Sequence, residues 1–154
     1  MLEVFGIFLV FHYAHPRQNP SSVVDAVYRS MNGLELSKTV VFGDFNLDSY
    51  KDTRRSQFLE LSDSLAELGI FHKQLELDKF TYSSSLAASC IDYVFSAEGC
   101  VKGSVLLDHS LQSSDHMALK FELAFSTSSL QLPRNNTRAY FLRKVKGMGS
   151  EHGQ

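Results

Sequence analysis

Apolar residues fall along this chain in short blocks, and the spacing inside each block predicts its element. Val4-Phe5-Gly6-Ile7-Phe8-Leu9-Val10-Phe11 is an unbroken apolar run rich in β-branched and aromatic residues, the pattern of a central strand buried on both faces. A polar, turn-rich stretch around Gln18-Asn19-Pro20 follows. Ser22-x-x-Asp25 then reads as a capping box, with Val23, Val24, Val27 and Met31 at helical spacing behind it and Gly33 as the stop. Thr39-Val40-Val41-Phe42-Gly43 is a second buried strand, and the polar run Asp44 to Tyr50 is the loop at its end. A helix from about Thr53 carries Phe58, Leu61, Leu65 and Leu68 on one stripe and closes at Gly69. Arg54, Arg55, Glu60 and Glu67 lie off that stripe, on its solvated face.

The second half of the chain is more strand-rich. Phe71 to Phe80 reads as irregular, and Thr81-Tyr82 as a short strand before a serine loop. Cys90 to Phe95 and Val101 to Leu107 are further strands. Met117, Leu119, Phe121, Leu123 and Phe125 alternate with less apolar residues, giving a last strand with one buried face. Strands joined partly by helical crossovers predict an α/β (α+β) sandwich of mostly mixed or antiparallel strands with flanking helices. Residues 126–154 turn polar and basic, with Arg138, Arg143, Lys144 and Lys146, and read as a tail.

Composition narrows the class. At 154 residues the chain suits one domain, and 44% hydrophobic residues exclude a disordered one. A net charge of -2 excludes a protein that grips nucleic acid by bulk positive charge, although a bound metal would supply positive charge locally. The apolar N-terminus is shorter than the roughly 20 residues a membrane helix needs, and it lacks the basic start of a signal peptide. Cys90 and Cys100 form no redox or zinc pair and read as reduced thiols of an intracellular protein.

Three polar clusters at strand ends could carry chemistry. In Gly43-Asp44-Phe45-Asn46, the two polar side chains stand two residues apart after a strand. They can point the same way, as a proton acceptor beside a phosphate-positioning amide. A turn that uses Asp and Asn for local hydrogen bonds explains the same residues equally well. Asp92 is a lone acid in an apolar run, so it either has a specific donor or faces solvent on an edge strand. In Ser114-Asp115-His116, an acid suited to a hard metal adjoins a ring that can donate to a phosphate oxygen. Asp108-His109 shows how readily such a dipeptide arises.

These three clusters occur in the order Gly-Asp-x-Asn, Ile-Asp-Tyr-Val-Phe and Ser-Asp-His. With Thr81-Tyr82 and Tyr13-Ala14-His15-Pro16, they resemble the endonuclease/exonuclease/phosphatase superfamily. That metal-dependent group includes apurinic-site endonucleases, pancreatic-type deoxyribonucleases and retrotransposon endonucleases. The resemblance runs from about Val4 to Phe125 and is greatest to the endonucleases linked to reverse transcriptases. It selects Asp115-His116 over Asp108-His109, because only the former has the serine and the following strand.

The resemblance implies a role for each residue. Asp44 would activate the attacking water or manage the leaving-group proton, and Asn46 would hold the phosphate and Asp44 in register. His116 would hydrogen-bond the scissile phosphate, Asp92 would orient His116, Tyr13 would contact phosphate and Asp115 would hold the metal. Oxygen ligands favour Mg2+ or Mn2+ over zinc. The implied substrate is nucleic acid, most naturally DNA, and a retroelement origin would place the protein in the nucleus.

In that family a complete domain is a four-layer fold of two similar half-sheets. The first half brings an asparagine and a metal-binding glutamate. This chain corresponds to the second half, residues 1–125 being a partial domain, and Glu3 lies in the wrong place to substitute for that glutamate. The expectation is a marginally stable chain with weak or absent metal-dependent cleavage. Two other readings stay open: a phosphomonoesterase or sphingomyelinase of the same fold, and a non-catalytic fragment or binding module.

Overall fold

A computed structural model of the chain describes residues 1–73, 80–108 and 114–124. Its strands are β1 (Leu2–Val4), β2 (Ile7–Tyr13), β3 (Thr39–Asp44), β4 (Ile70–His72), β5 (Tyr82–Ser83), β6 (Ala88–Ser89), β7 (Asp92–Ala97), β8 (Val101–Asp108) and β9 (Ala118–Leu123). The helices α1 (Pro20–Met31) and α2 (Asp52–Glu67) are the crossovers that follow β2 and β3. A five-stranded mixed sheet runs in the order β1-β2-β3-β7-β4, and β5–β6 and β8–β9 form separate two-stranded ribbons.

Period-two alternation divides the sheet into two faces. Val10, Val41, Tyr93 and Phe95 point towards the helices and pack with Val23, Val27 and Met31 of α1 and Phe58, Leu61 and Leu65 of α2. Their neighbours Ile7, Val40 and Val94 point the other way, onto Val101 and Val105 of β8, with Leu119 and Phe121 of β9 partly buried beside them. The β8–β9 ribbon covers only part of that second face. Phe11, which pairs with Phe42 across β2 and β3, stays 63% exposed.

Several sequence expectations need correction. The apolar run from Val4 to Phe11 is not one strand but most of a hairpin. Phe5 (φ 52°) and Gly6 (φ 77°) form its two-residue turn, with Val4 opposite Ile7. Gly6 supplies the left-handed position such a turn requires, and β propensity alone hides it. β2 is interior in hydrogen bonding, between β1 and β3, but it is not buried on both faces. Helix α1 starts earlier than the capping box suggests. Its N-cap is Asn19, whose side chain accepts the Ser21 N–H at 3.1 Å, and Pro20 sits in the first turn. The stretch from Phe71 to Phe80, expected to be irregular, begins inside an edge strand, Ile70–His72, that pairs with β7. Asp92 is therefore on an interior strand, which removes the solvent-face reading. The expected strand from Met117 to Phe125 is seen as Ala118–Leu123; Phe125, His109 and the tail at 126–154 lie outside the described residues.

At one position the backbone leaves no room for a side chain. Gly43 adopts φ 137°, and a Cβ there would stand 2.0 Å from the His12 carbonyl oxygen. Gly43→Ala should therefore destabilise the fold by about 3 kcal/mol, read by denaturant melting. Phe5→Asn should do the opposite, gaining roughly 0.5–1 kcal/mol, because asparagine tolerates the left-handed turn far better than phenylalanine.

Candidate active site

Sheet register builds the site. Tyr13 pairs with Asp44 across β2 and β3, and Asp44 pairs with Asp92 across β3 and β7. The rows behind them on the same face are Phe11–Phe42–Val94 and Leu9–Val40–Ser96. Tyr13, Asp44 and Asp92 therefore form the terminal polar row of a largely apolar face, side by side on three adjacent strands.

His116 completes the row from outside the sheet. It pairs with Tyr82 in an isolated bridge, and the Met117 N–H donates to the Thr81 carbonyl at 2.8 Å. Its Nδ1 lies 3.0 and 3.2 Å from the two Asp92 carboxylate oxygens. Thr81 is fully buried and fixes the other partner: its Oγ1 accepts the N–H groups of Ile91 and Asp92, both at 3.0 Å. The Tyr82 ring stands edge-on to the imidazole at 5.1 Å.

Asn46 is held in a left-handed conformation (φ 51°). Its backbone N–H donates to Asp44 Oδ1 at 2.9 Å and its side-chain amide to the Ala14 carbonyl at 2.6 Å. Arg54 secures this bend by donating to the Asn46 carbonyl at 2.6 Å and the Pro16 carbonyl at 3.1 Å. Beneath the loop the buried Tyr93 hydroxyl accepts the Ser49 N–H and donates to the Leu47 carbonyl, with the Cys90 carbonyl also in contact. Burial pushes that phenol far above its ordinary range, so it stays a donor.

Electrostatics follow from this burial. Desolvation raises the Asp44 carboxyl above its ordinary value; the Asn46 N–H opposes it, the Asp92 charge adds to it and His116 offsets it. Desolvation also raises Asp92, with hydrogen bonds from Thr81 and His116 pulling the other way. Asp48 behaves differently. Burial would raise it, but donors from Tyr50, Ser89 and Cys90 and the nearby Lys51 outweigh that and hold it low.

One ligand atom each from Asp44, Asp92 and His116 fall within 4.8 Å of one another, close enough to share a divalent cation. The donor set fits such an ion in part: two crowded carboxylates gain from a cation between them, and one imidazole nitrogen suits Mn2+ better than Mg2+. The group opens into a cleft of about 460 Å³ lined by Tyr13, Asp44, Asn46, Lys51, Arg54 and His116, among others.

Of the six residues singled out from the sequence, Tyr13, Asp44, Asn46 and His116 line this cleft, and Asp92 stands behind it, bonded to His116. Asp115 does not line it: its side chain is exposed, and its backbone carbonyl accepts the Ser83 N–H at 2.9 Å. Sequence reasoning missed Asp48, Lys51 and Arg54. The last, placed on the solvated face of α2, is instead in the cleft wall. The available signal was the i, i+3 spacing of Asp48 and Lys51 directly after Gly-Asp-x-Asn.

No family model and no curated protein sequence matches this chain. Solved structures do. The endonuclease domain of TRAS1, a telomere-specific non-LTR retrotransposon, is similar at 24% identity and TM-score 0.59, over 73% of this chain and 54% of that one. An endonuclease/exonuclease/phosphatase family protein from Leptotrichia buccalis C-1013-b is similar at 19% identity and TM-score 0.52, over 80% of this chain and 52% of that one. The chain thus spans about half the length of the structures it matches. The fold that the motif order implies is the fold that these structures have.

Asp44 and Asp48 should respond oppositely to removal of charge. Asp44→Asn keeps the oxygen that accepts the Asn46 N–H and deletes a desolvated charge. It should stabilise the chain at neutral pH by about 1 kcal/mol, roughly 2–4 °C in melting temperature. The raised folded-state value means that ionised Asp44 weakens the fold as pH rises through that value, so the gain should vanish in acid. Asp48→Asn should destabilise at neutral pH, and that loss should shrink as pH falls through the lowered folded-state value of Asp48.

Proposed function

We propose that this chain carries a divalent-metal-dependent phosphodiester hydrolase site of the endonuclease type, with nucleic acid, DNA first, as substrate. The observation that carries the proposal is the row Tyr13–Asp44–Asp92 with His116 locked to Asp92 at the mouth of an open cleft. Each group in it suits one need of phosphodiester hydrolysis.

Asp44, ionised, accepts a proton from the attacking water as its oxygen bonds to phosphorus, while the bond from phosphorus to the leaving sugar oxygen breaks and that oxygen takes a proton from solvent water. Asn46 keeps Asp44 oriented and offers its remaining amide hydrogen to a phosphoryl oxygen. With Asp92 accepting from Nδ1–H, His116 has Nε2 left to meet the phosphate, and Tyr13 adds a phenol donor from the neighbouring strand. A cation held by the Asp44 and Asp92 carboxylates beside His116, Mg2+ or Mn2+, would supply charge neutralisation on the phosphoryl oxygens. We assign the cation to this group rather than to Asp115, which is exposed and outside the cleft lining. Likeness to an endonuclease domain supports nucleic acid over a small phosphomonoester. Among the described residues no helix is long and apolar enough to cross a membrane.

Plasmid nicking in Mg2+ or Mn2+ tests the proposal. Asp44→Ala and His116→Ala should each lower the rate by about 100-fold or more, in line with the loss of one preorganised group. Equal rates for wild type and Asp44→Ala would overturn the reading. Asp115→Ala should keep the Mn2+ requirement within about twofold of wild type; a large increase would move the cation to Asp115.

A further inference from the structure

Lys51 reaches the cleft from the N-terminal edge of α2 on a fixed mount. Its Nζ lies 3.0 Å from Ser89 Oγ and 3.4 Å from Asp48 Oδ2. The Asp48 side chain is only 4% exposed, whereas that of Lys51 is 54% exposed. Asp48 Oδ1 accepts the Tyr50 N–H at 3.0 Å and the Cys90 N–H at 3.4 Å, so backbone donors on both sides tie it down. Its other oxygen, Oδ2, is buried and faces the lysine, its charge partner. An ammonium has three donors. Two directions are taken by Ser89 and Asp48, and the third remains for whatever fills the cleft.

The position relative to the reactive groups is set by the chain. Ser89, which bonds Lys51, precedes Asp92 by three residues, a reach of at most about 11 Å even fully extended. An anion entering the cleft meets the lysine before the acid buried beneath it. Arg54, whose fork is anchored on the Asn46 and Pro16 carbonyls, stands in the same wall.

We infer that Lys51, carried by Asp48 and Ser89 and flanked by Arg54, is a second anion subsite that takes a phosphate next to the scissile one. The site is thereby selective for polynucleotide chains over substrates with a single phosphate. The inference rests on the phosphodiesterase reading above and adds a specificity determinant to it. The subsite contributes binding along the strand, whereas Asp44 and His116 act at the reacting phosphorus.

Two substrates and three variants test it. The substrates are a labelled DNA oligonucleotide and bis(p-nitrophenyl) phosphate, a diester with one phosphate. The variants are Lys51→Gln, Lys51→Arg and the double change Asp48→Asn/Lys51→Gln, which avoids stranding a buried charge. Oligonucleotide binding is followed by anisotropy across a salt series, and turnover of both substrates is measured. Lys51→Gln and the double variant should weaken oligonucleotide binding about fivefold to tenfold and lower the salt slope by about 0.7–0.9. Their loss should fall on KM rather than kcat and exceed the loss on the single-phosphate diester at least fivefold. Lys51→Arg should retain binding. Equal losses on both substrates, or an unchanged salt slope in the double variant, would overturn the subsite. If wild type binds the oligonucleotide but cleaves neither substrate, the hydrolase reading falls while the salt slope still decides the subsite. If wild type does not bind it, both fall.

Discussion

The pairing of β3 with β7 in a single register governs this structure. Because Val40 faces Ser96 and Phe42 faces Val94, Asp44 must face Asp92. A slip of one residue in β3 would send Asp44 to the helix-packed face, among Phe95 and the apolar stripes of α1 and α2, where an ionised carboxylate has no partner. The apolar rows therefore dictate where the charges meet. Gly43 belongs to the same constraint: only a residue without a side chain lets β3 pass so close to His12 while staying in register.

The two carboxylates of that row meet at a cost. Both are desolvated, and Asp92 raises Asp44 further. The fold accepts this because Thr81 and His116 hold Asp92, while the Asn46 backbone holds Asp44. Asp48, a few residues on, shows the alternative arrangement, a buried acid that is well supplied with donors and sits beside a lysine. The end of β3 and the loop after it thus hold one carboxylate raised above its ordinary value and another held below it, and their hydrogen-bond supply decides which is which.

Much of this was legible in the residues, for physical reasons that differ by element. The helix stripes Val23–Val27–Met31 and Phe58–Leu61–Leu65 repeat at 3.6 residues and bury as read. Asp44, Asn46, Asp92 and His116 were visible because polar residues at strand ends stand out against apolar blocks. The N-terminal hairpin was not legible, since Phe5 in a left-handed turn looks like any strand phenylalanine. The strand at Ile70–His72 was hidden because three residues carry no period. Lys51 and Arg54 were missed for another reason. Charge on a helix is usually solvated, and only the positions of the Asn46 carbonyl and Ser89 hydroxyl show that these two point inward.

Tyr93 ties the loop at 45–50 to the strand beneath it through the Ser49 N–H and the Leu47 carbonyl. The segment holding Asp44 and Asn46 is consequently not a module that could be exchanged on its own. A graft of this loop into another scaffold would have to carry a tyrosine on the adjacent antiparallel strand, one residue beyond the partner of its aspartate. Loop and strand hold their shape as a pair, so a substitution at Tyr93 would release the loop at 45–50 as surely as one within the loop itself.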